Sequence, residues 1–191
     1  VYGHADFFGV DMNVEKEAMV LAGQSPNGNI LWTVTIEGGV SWWNFTENTL
    51  KLDQAHERLY LHGIYNDTLK IGNLIFTAPF KGAFTACFST HGDFMWAKNI
   101  PYAVDIQSVD SDAAGNVYAI FGFFQTIEIE GQTYTSNSEG DALLLRYDLN
   151  GNFTFAKQIK TDVFFYSLGI ATIPAGGYYL TVEPAGDSIY F

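Results

Sequence analysis

Residues 81–100 read KGAFTACFSTHGDFMWAKNI, and residues 140–159 read GDALLLRYDLNGNFTFAKQI. Laid side by side without a gap, Ala83 matches Ala142, Gly92 matches Gly151, Trp96 matches Phe155 and Ile100 matches Ile159. A third copy at 16–36, KEAMVLAGQSPNGNILWTVTI, keeps Ala18, Gly28, Trp32 and Ile36 with one inserted residue. The 191-residue chain is therefore built on a unit of about 59 residues, present twice in full with partial copies on either side. A period of that size marks a repeat architecture, and the architecture follows before any single element is read.

Within one unit the pattern is that of strands. DIQSVD (105–110) is a short alternating run, DAAGN (112–116) is a turn signal, and NVYAIFGFF (116–124) is rich in β-branched and aromatic residues. TIEIE (126–130) alternates until Gly131 breaks it. ALLLRY (142–147), the hairpin signal DLNGN (148–152) and FTFAKQI (153–159) complete four principal strands. The preceding unit follows the same order. LYLHGIY (59–65) sets Gly63 against Gly122, TLKIG (68–72) is one residue shorter than TIEIEG, and THGD (90–93) replaces LNGN. VEKEAMVL (14–21) and DQAHERLYL (53–61) have acceptable helix composition. The repeat register overrides it, because their aligned partners are turn and strand residues.

A lone four-stranded meander cannot bury both of its faces, whereas meanders stacked around an axis can. The expected fold is all-β, an arc of a β-propeller made of four-stranded antiparallel blades. It comprises a partial blade at 1–42, blades at 43–102 and 103–162, and a partial blade at 163–191. Trp32, Trp96 and Phe155 are expected at equivalent positions between blades. The motif residues are Gly115, Asn116, Val117, Tyr118, Gly122, Gly131, Gly140, Asp141, Ala142, Tyr147, Asp148, Asn150, Gly151, Asn152 and the run from Ala156 to Ile159. Their pattern resembles the SBBP-type β-propeller repeats of bacterial extracellular proteins, abundant in Bacteroidota. The terminal segment 169–191 resembles the first half of another copy, with Gly176 and Tyr179 standing for Gly115 and Tyr118. Such a family implies an extracellular, cell-surface or periplasmic setting and carries no shared catalytic residues. About three and a quarter repeats are too few to close a ring. The expectation is that further blades lie beyond the chain, or that another protein covers the exposed blade edges.

Bulk properties narrow the function. The net charge is -12, and the nine Lys and Arg residues are scattered, which disfavours nucleic acid and anionic membranes. No run approaches the roughly 20 apolar residues that span a bilayer, so no membrane insertion is expected. Cys87 is the only cysteine and sits in an apolar run, where a core role is expected rather than redox or zinc chemistry.

Each candidate site has a plainer alternative. Asp110 and Asp112 in DSDAAGN (110–116) resemble part of a calcium loop, but the downstream carboxylates such a loop needs are missing. A turn is the favoured reading. Glu128 and Glu130 are expected on one strand face about 7 Å apart, a spacing known among glycosidase carboxylates; a solvated acidic face is the commoner meaning. His4, His56, His62 and His91 lack metal-ligand spacing and are expected at or near the surface. No nucleophile elbow or phosphate loop appears, so no enzyme, cofactor or metal is expected. Trp42 and Trp43 in SWWNF (41–45) point to opposite faces if they lie on a strand. One of them is a weak interaction candidate for a protein or a sugar ring. The functional expectation is a non-catalytic protein-interaction or scaffold module of a bacterial envelope or secreted protein, with a protein partner and a surface glycan as the lesser ligand. Alternatives are a subunit capping or plugging an envelope secretion or uptake complex, and a carbohydrate-active propeller enzyme.

Overall fold

A computed structural model describes residues 3–7, 9–14, 18–40, 49–137, 140–161, 165–174, 176–184 and 189–190. Among them every regular element is a strand and every paired strand is antiparallel. In chain order these are β1 (Gly3–Phe7), β2 (Val10–Val14), β3 (Ala18–Gln24), β4 (Ile30–Val40), β5 (Thr49–Asp53) and β6 (Arg58–Ile71). Next come β7 (Leu74–Ser89), β8 (Phe94–Pro101), β9 (Ala103–Ser111), β10 (Val117–Phe123), β11 (Thr126–Ile129) and β12 (Gln132–Thr135). The last are β13 (Asp141–Tyr147), β14 (Phe153–Thr161), β15 (Phe165–Thr172), β16 (Tyr178–Pro184) and β17 (Ile189–Tyr190). The helix-prone stretches follow the repeat: residues 54–57 form a turn, and Ala18 opens a strand.

Repeat three is the meander β9–β10–β13–β14, with the small hairpin β11–β12 inserted between β10 and β13. Repeat two is β5–β6–β7–β8, where the same hairpin is fused into the long strands β6 and β7. Repeat one contributes β3 and β4, and repeat four contributes β15 and β16.

Five connections share one geometry. Ser25, Ser89, Asp112, Asp148 and Ile173 each donate their N–H to the carbonyl four residues on and accept the N–H of the glycine three residues on. This is a type I turn closed by a glycine bulge. Its glycines, Gly28, Gly92, Gly115, Gly151 and Gly176, take φ between +78° and +91°, where a Cβ is unfavourable. DLNGN is thus a three-residue loop in which only Gly151, not Asn150, needs positive φ. The first side chain completes the turn. Asp148 Oδ1 accepts from the N–H of Asn150 (2.9 Å) and Asn152 (2.8 Å), and Ser89 Oγ accepts from His91 (3.2 Å) and Asp93 (3.0 Å).

Strand pairing corrects two details of the repeat alignment. Ile36 opposes Met19 just as Ile100 opposes Ala83 and Ile159 opposes Ala142, so β3 carries no inserted residue and Met19, not Ala18, is the equivalent. Ala83 opposes Ile64 while Ala142 opposes Gly122, so Ile64 rather than Gly63 stands at Gly122. The cause is a longer turn after β5, compensated by one residue fewer within β7, between Thr77 and Ala83; the hairpins at 72–73 and 130–131 are of equal length, contrary to the shorter TLKIG segment expected. Both copies keep the same total length, which conceals the shift in the sequence.

With that register, the faces of the sheets match. Leu69, Ile71, Phe84, Ala86 and Phe88 pack toward Leu21 and Ile36 of repeat one. Their equivalents Ile127, Ile129, Leu143, Leu145 and Tyr147 pack toward Ile64, Ala83 and Ile100 of repeat two. The Trp32 indole N–H donates to the Thr90 carbonyl (3.0 Å), and the Trp96 indole N–H to the Leu149 carbonyl (3.2 Å). Each ring lies against the turn glycine of the next repeat, 2.7 Å from where a Cβ on Gly92 or Gly151 would stand. The expected position of these tryptophans between repeats is therefore observed.

Backbone pairing also crosses between repeats. The end of β4 pairs with β6 (Glu37 opposite Lys70, Gly38 opposite Leu69), and the end of β14 pairs with β17 at the same register (Lys160 opposite Tyr190, Thr161 opposite Ile189). At the middle junction Pro101 occupies the place of Glu37 and Lys160. It has no N–H to donate, and β8 stops there, leaving β11–β12 as a separate two-stranded sheet.

One buried pair breaks the apolar pattern. Ile120 opposes Leu144 in repeat three, and His62 opposes Thr85 at the same place in repeat two. His62 is fully buried, contrary to the surface position expected for it, and its Nδ1 lies 2.8 Å from Thr85 Oγ1 and 3.0 Å from the Phe84 carbonyl. Burial holds the imidazole down to about 4, against the opposing pull of the Ile120 and Phe84 carbonyls. Cys87 is buried as expected, and burial pushes its thiol up to about 12.

Two predictions follow from this packing. Gly131 and Gly151 have similar φ, +75° and +80°, but only Gly151 faces an aromatic ring. Gly131→Ala should cost about 1 kcal/mol of backbone strain, and Gly151→Ala a further 1–3 kcal/mol, roughly, from displacing Trp96. Denaturant unfolding of the two variants measures the difference. Because the folded His62 pKa lies below the unfolded value, the unfolded chain takes up a proton first as pH falls. Stability should drop by about 3 kcal/mol between pH 6.5 and 4 from this group. In the His62→Ile/Thr85→Leu variant, which copies repeat three, that part of the pH dependence should vanish.

Candidate functional site

The strands β5, β9 and β15 hold the same place in three successive repeats, and their ends converge on one cavity of about 290 Å³. Strand pairing makes Leu52, Ser111 and Thr172 equivalent, each at or next to the end of its strand. All three line the cavity, together with Asp53, Gln54, Asp112, Ala113 and Pro174 just beyond them. The repeat itself thus brings together residues far apart in the chain.

Asp110 ties the three strands to one another. Its Oδ1 lies 2.6 Å from Lys51 Nζ in repeat two, and its Oδ2 accepts from the N–H (2.7 Å) and hydroxyl (3.0 Å) of Thr172 in repeat four. The Thr172 hydroxyl also approaches the Ser111 carbonyl at 2.7 Å. Burial by itself would raise the Asp110 carboxyl, but the Lys51 ammonium, the Thr172 donors and the Ser111 N–H outweigh it and hold the group below the usual carboxylate range. Asp112 is lowered in the same way. Burial opposes ionisation, and the side chain and N–H of Asn116, the Ala114 N–H and the Tyr118 hydroxyl overcome it. On the opposite wall Asp53 accepts the His56 N–H (3.2 Å) and lies 2.9 Å from its ring nitrogen.

This arrangement favours the turn reading of DSDAAGN. The carboxylate oxygens of Asp110 and Asp112 already face protein donors, and no group of three or more His, Cys, Asp or Glu among the described residues could hold a metal ion. The exposed rim of the cavity is formed by Leu52, Gln54, Ala113 and Pro174, above a floor of internally paired charges.

The proposed carboxylate pair is not on one strand face. Glu128 is exposed on β11, but Glu130 lies in the turn after it with φ +48°, because a two-residue hairpin at 130–131 requires left-handed backbone there. Trp42 and Trp43 lie outside the described residues, as does the side chain of His4. His91 sits in the turn after β7, and His56 is paired with Asp53. Sequence reading missed the cavity, although its residues were legible in principle as equivalent positions of three repeats. Among the described residues no helix is long and apolar enough to cross a membrane. No protein-family model matches the chain, and no curated protein matches it. The SBBP-type resemblance therefore rests on the quoted motif residues alone.

Asp110→Ala should cost about 2 kcal/mol, since it strands the Thr172 and Ser111 donors. For a chain of this size the melting midpoint should fall by about 4–8 °C. Glu128→Gln, on an exposed hairpin, should change stability by less than about 0.5 kcal/mol. Calorimetry on both variants checks the contrast.

Proposed function

We propose that the chain is an arc of a β-propeller serving as a non-catalytic interaction or scaffold module, in the envelope or on the outside of a bacterium. The observation that carries this reading is the convergence of one register position from three successive repeats on a single rimmed cavity. Repeats stacked face to face, the first two each sealing the next with a tryptophan on a turn glycine, support the propeller. The extracellular placement is supported by the SBBP-type motif residues.

The cavity suits a protein partner. Its charges are internally paired, so recognition falls to the rim, where Leu52 and Pro174 offer apolar surface beside the Gln54 amide. A loop side chain of a partner protein is of the right size for such a space. A surface glycan is the lesser alternative.

The test is to immobilise the chain, expose it to envelope extract of its source bacterium, and compare it with the Ala113→Arg variant. Ala113 is an exposed rim residue, so arginine there obstructs the cavity mouth without touching the core. A protein retained in stoichiometric amount by the parent and lost by the variant is expected. Retention unaffected by Ala113→Arg, or no stoichiometric species at all, overturns the cavity as the docking point.

A further inference from the structure

One strand edge is covered at the first and last repeat junctions and bare at the junction between them. In repeats two and three the small hairpin turns in two residues, which makes Ile71–Leu74 and Ile129–Gln132 hydrogen-bonded pairs. Alternation then directs the backbone N–H and carbonyl of Thr68 and Lys70, and of Thr126 and Glu128, away from the hairpin. The other strand keeps the same phase: Thr135, opposite Thr126, points its carbonyl outward, where Gln158 Nε2 donates to it (2.9 Å). Lys70 is met by Glu37 at the end of β4, and at the last junction the end of β14 meets β17 in the same register. Along Thr126 and Glu128 no such strand pairs among the described residues, and both residues are exposed.

This vacancy is made in the middle of the chain, with a full repeat on either side. Pro101 stands where Glu37 stands and has no N–H to give the Glu128 carbonyl. Tyr102 follows at φ +62°, a conformation that a bulky residue rarely takes, and donates its N–H to the Lys81 carbonyl of its own repeat (2.9 Å). The chain is thereby held to β7 and enters β9 at Ala103 without pairing along β11. A strand edge left with outward N–H and carbonyl groups is a template for another chain.

We propose that the free edge of β11 takes up an extended segment of another protein as an added antiparallel strand, with a lysine or arginine of that segment opposite Glu128. The first junction supplies the pattern. There the strand laid on the edge carries Glu37, whose carboxylate lies 3.3 Å from the Nζ of Lys70 directly opposite. In repeat three Glu128 holds the place of Lys70 and has no ion pair among the described residues, so the complementary residue on an added strand is a cation. A second copy of this chain does not fit, because each copy carries a charge of -12 and presents the same acidic edge. Main-chain hydrogen bonds supply the affinity, and the residue opposite Glu128 supplies the selectivity. No residue of β11 lines the cavity, so this inference stands apart from the docking point proposed above.

The test is titration of the isotope-labelled 191-residue chain with the synthetic peptides TVTKTVT and TVTETVT, read from amide chemical shifts and amide exchange. The lysine peptide is expected to shift the amides of Thr126 and Glu128, to slow their exchange, and to bind roughly threefold or more tighter than the glutamate peptide. Glu128→Lys should reverse that preference. Glu128→Pro removes an outward N–H and leaves the β11–β12 ladder intact, so it should abolish binding of both peptides while the Tyr134 amide keeps its protection. A parent unshifted by the lysine peptide at millimolar concentration, shifts that survive Glu128→Pro, or equal binding of the two peptides overturns the proposal. So does a shift of the Thr126 and Glu128 amides on concentrating the chain alone, which assigns the edge to a second copy.

Discussion

An indole ring lying on a glycine is the contact on which the first two junctions of the stack depend. Trp32 and Trp96 can reach the following repeat only because its turn ends in a residue without a Cβ. The indole N–H then closes on a turn carbonyl that would otherwise need water. The glycine is already demanded by its own turn, whose backbone enters the left-handed region there. Two requirements, one local and one between repeats, thus fall on one atom-poor position. Each fully buried aromatic side chain contributes about 1.5–3 kcal/mol of burial, so repeats too small to form a core alone gain it from their neighbours.

The interior is not uniformly apolar. His62 and Thr85 replace an isoleucine–leucine pair across two strands, and the replacement is mutual, so the imidazole Nδ1 meets the threonine hydroxyl and the Phe84 carbonyl. A lone polar side chain at that place would carry the full cost of desolvation. Asp110 follows the same rule on β9: its charge is tolerated because Lys51, Thr172 and Ser111 all donate to it. Here electrostatics aligns three repeats where side-chain packing alone would permit sliding.

Much of the all-β fold was legible in the sequence because glycine, asparagine and β-branched residues recur at one spacing. The turn at 148–152 was visible in DLNGN, and its twin at 25–29 in SPNGN. The register of β6 was not, because the extra residue in the turn after β5 and the missing one within β7 cancel in the count. Burial of His62 was hidden by the absence of any local signal; it becomes visible only when its cross-strand partner is known to be Thr85. The cavity depends on which strands lie side by side in space, and a linear spacing rule carries no such information. Glu130 misled because strand alternation was extended one residue too far, into a turn.

Pro101 divides the molecule's cooperativity. Hydrogen-bonded pairing runs unbroken from β3 to β8 and again from β9 to β17 through β14, and no strand pairing among the described residues crosses from one set to the other. Side chains alone hold that seam. Backbone amides on its two sides therefore belong to separate protective networks, and slow opening of one need not drag the other with it. A single imino acid thus leaves the two largest sheets joined through side chains, the Lys51–Asp110 ion pair and the Trp96 N–H among them, rather than through a shared strand.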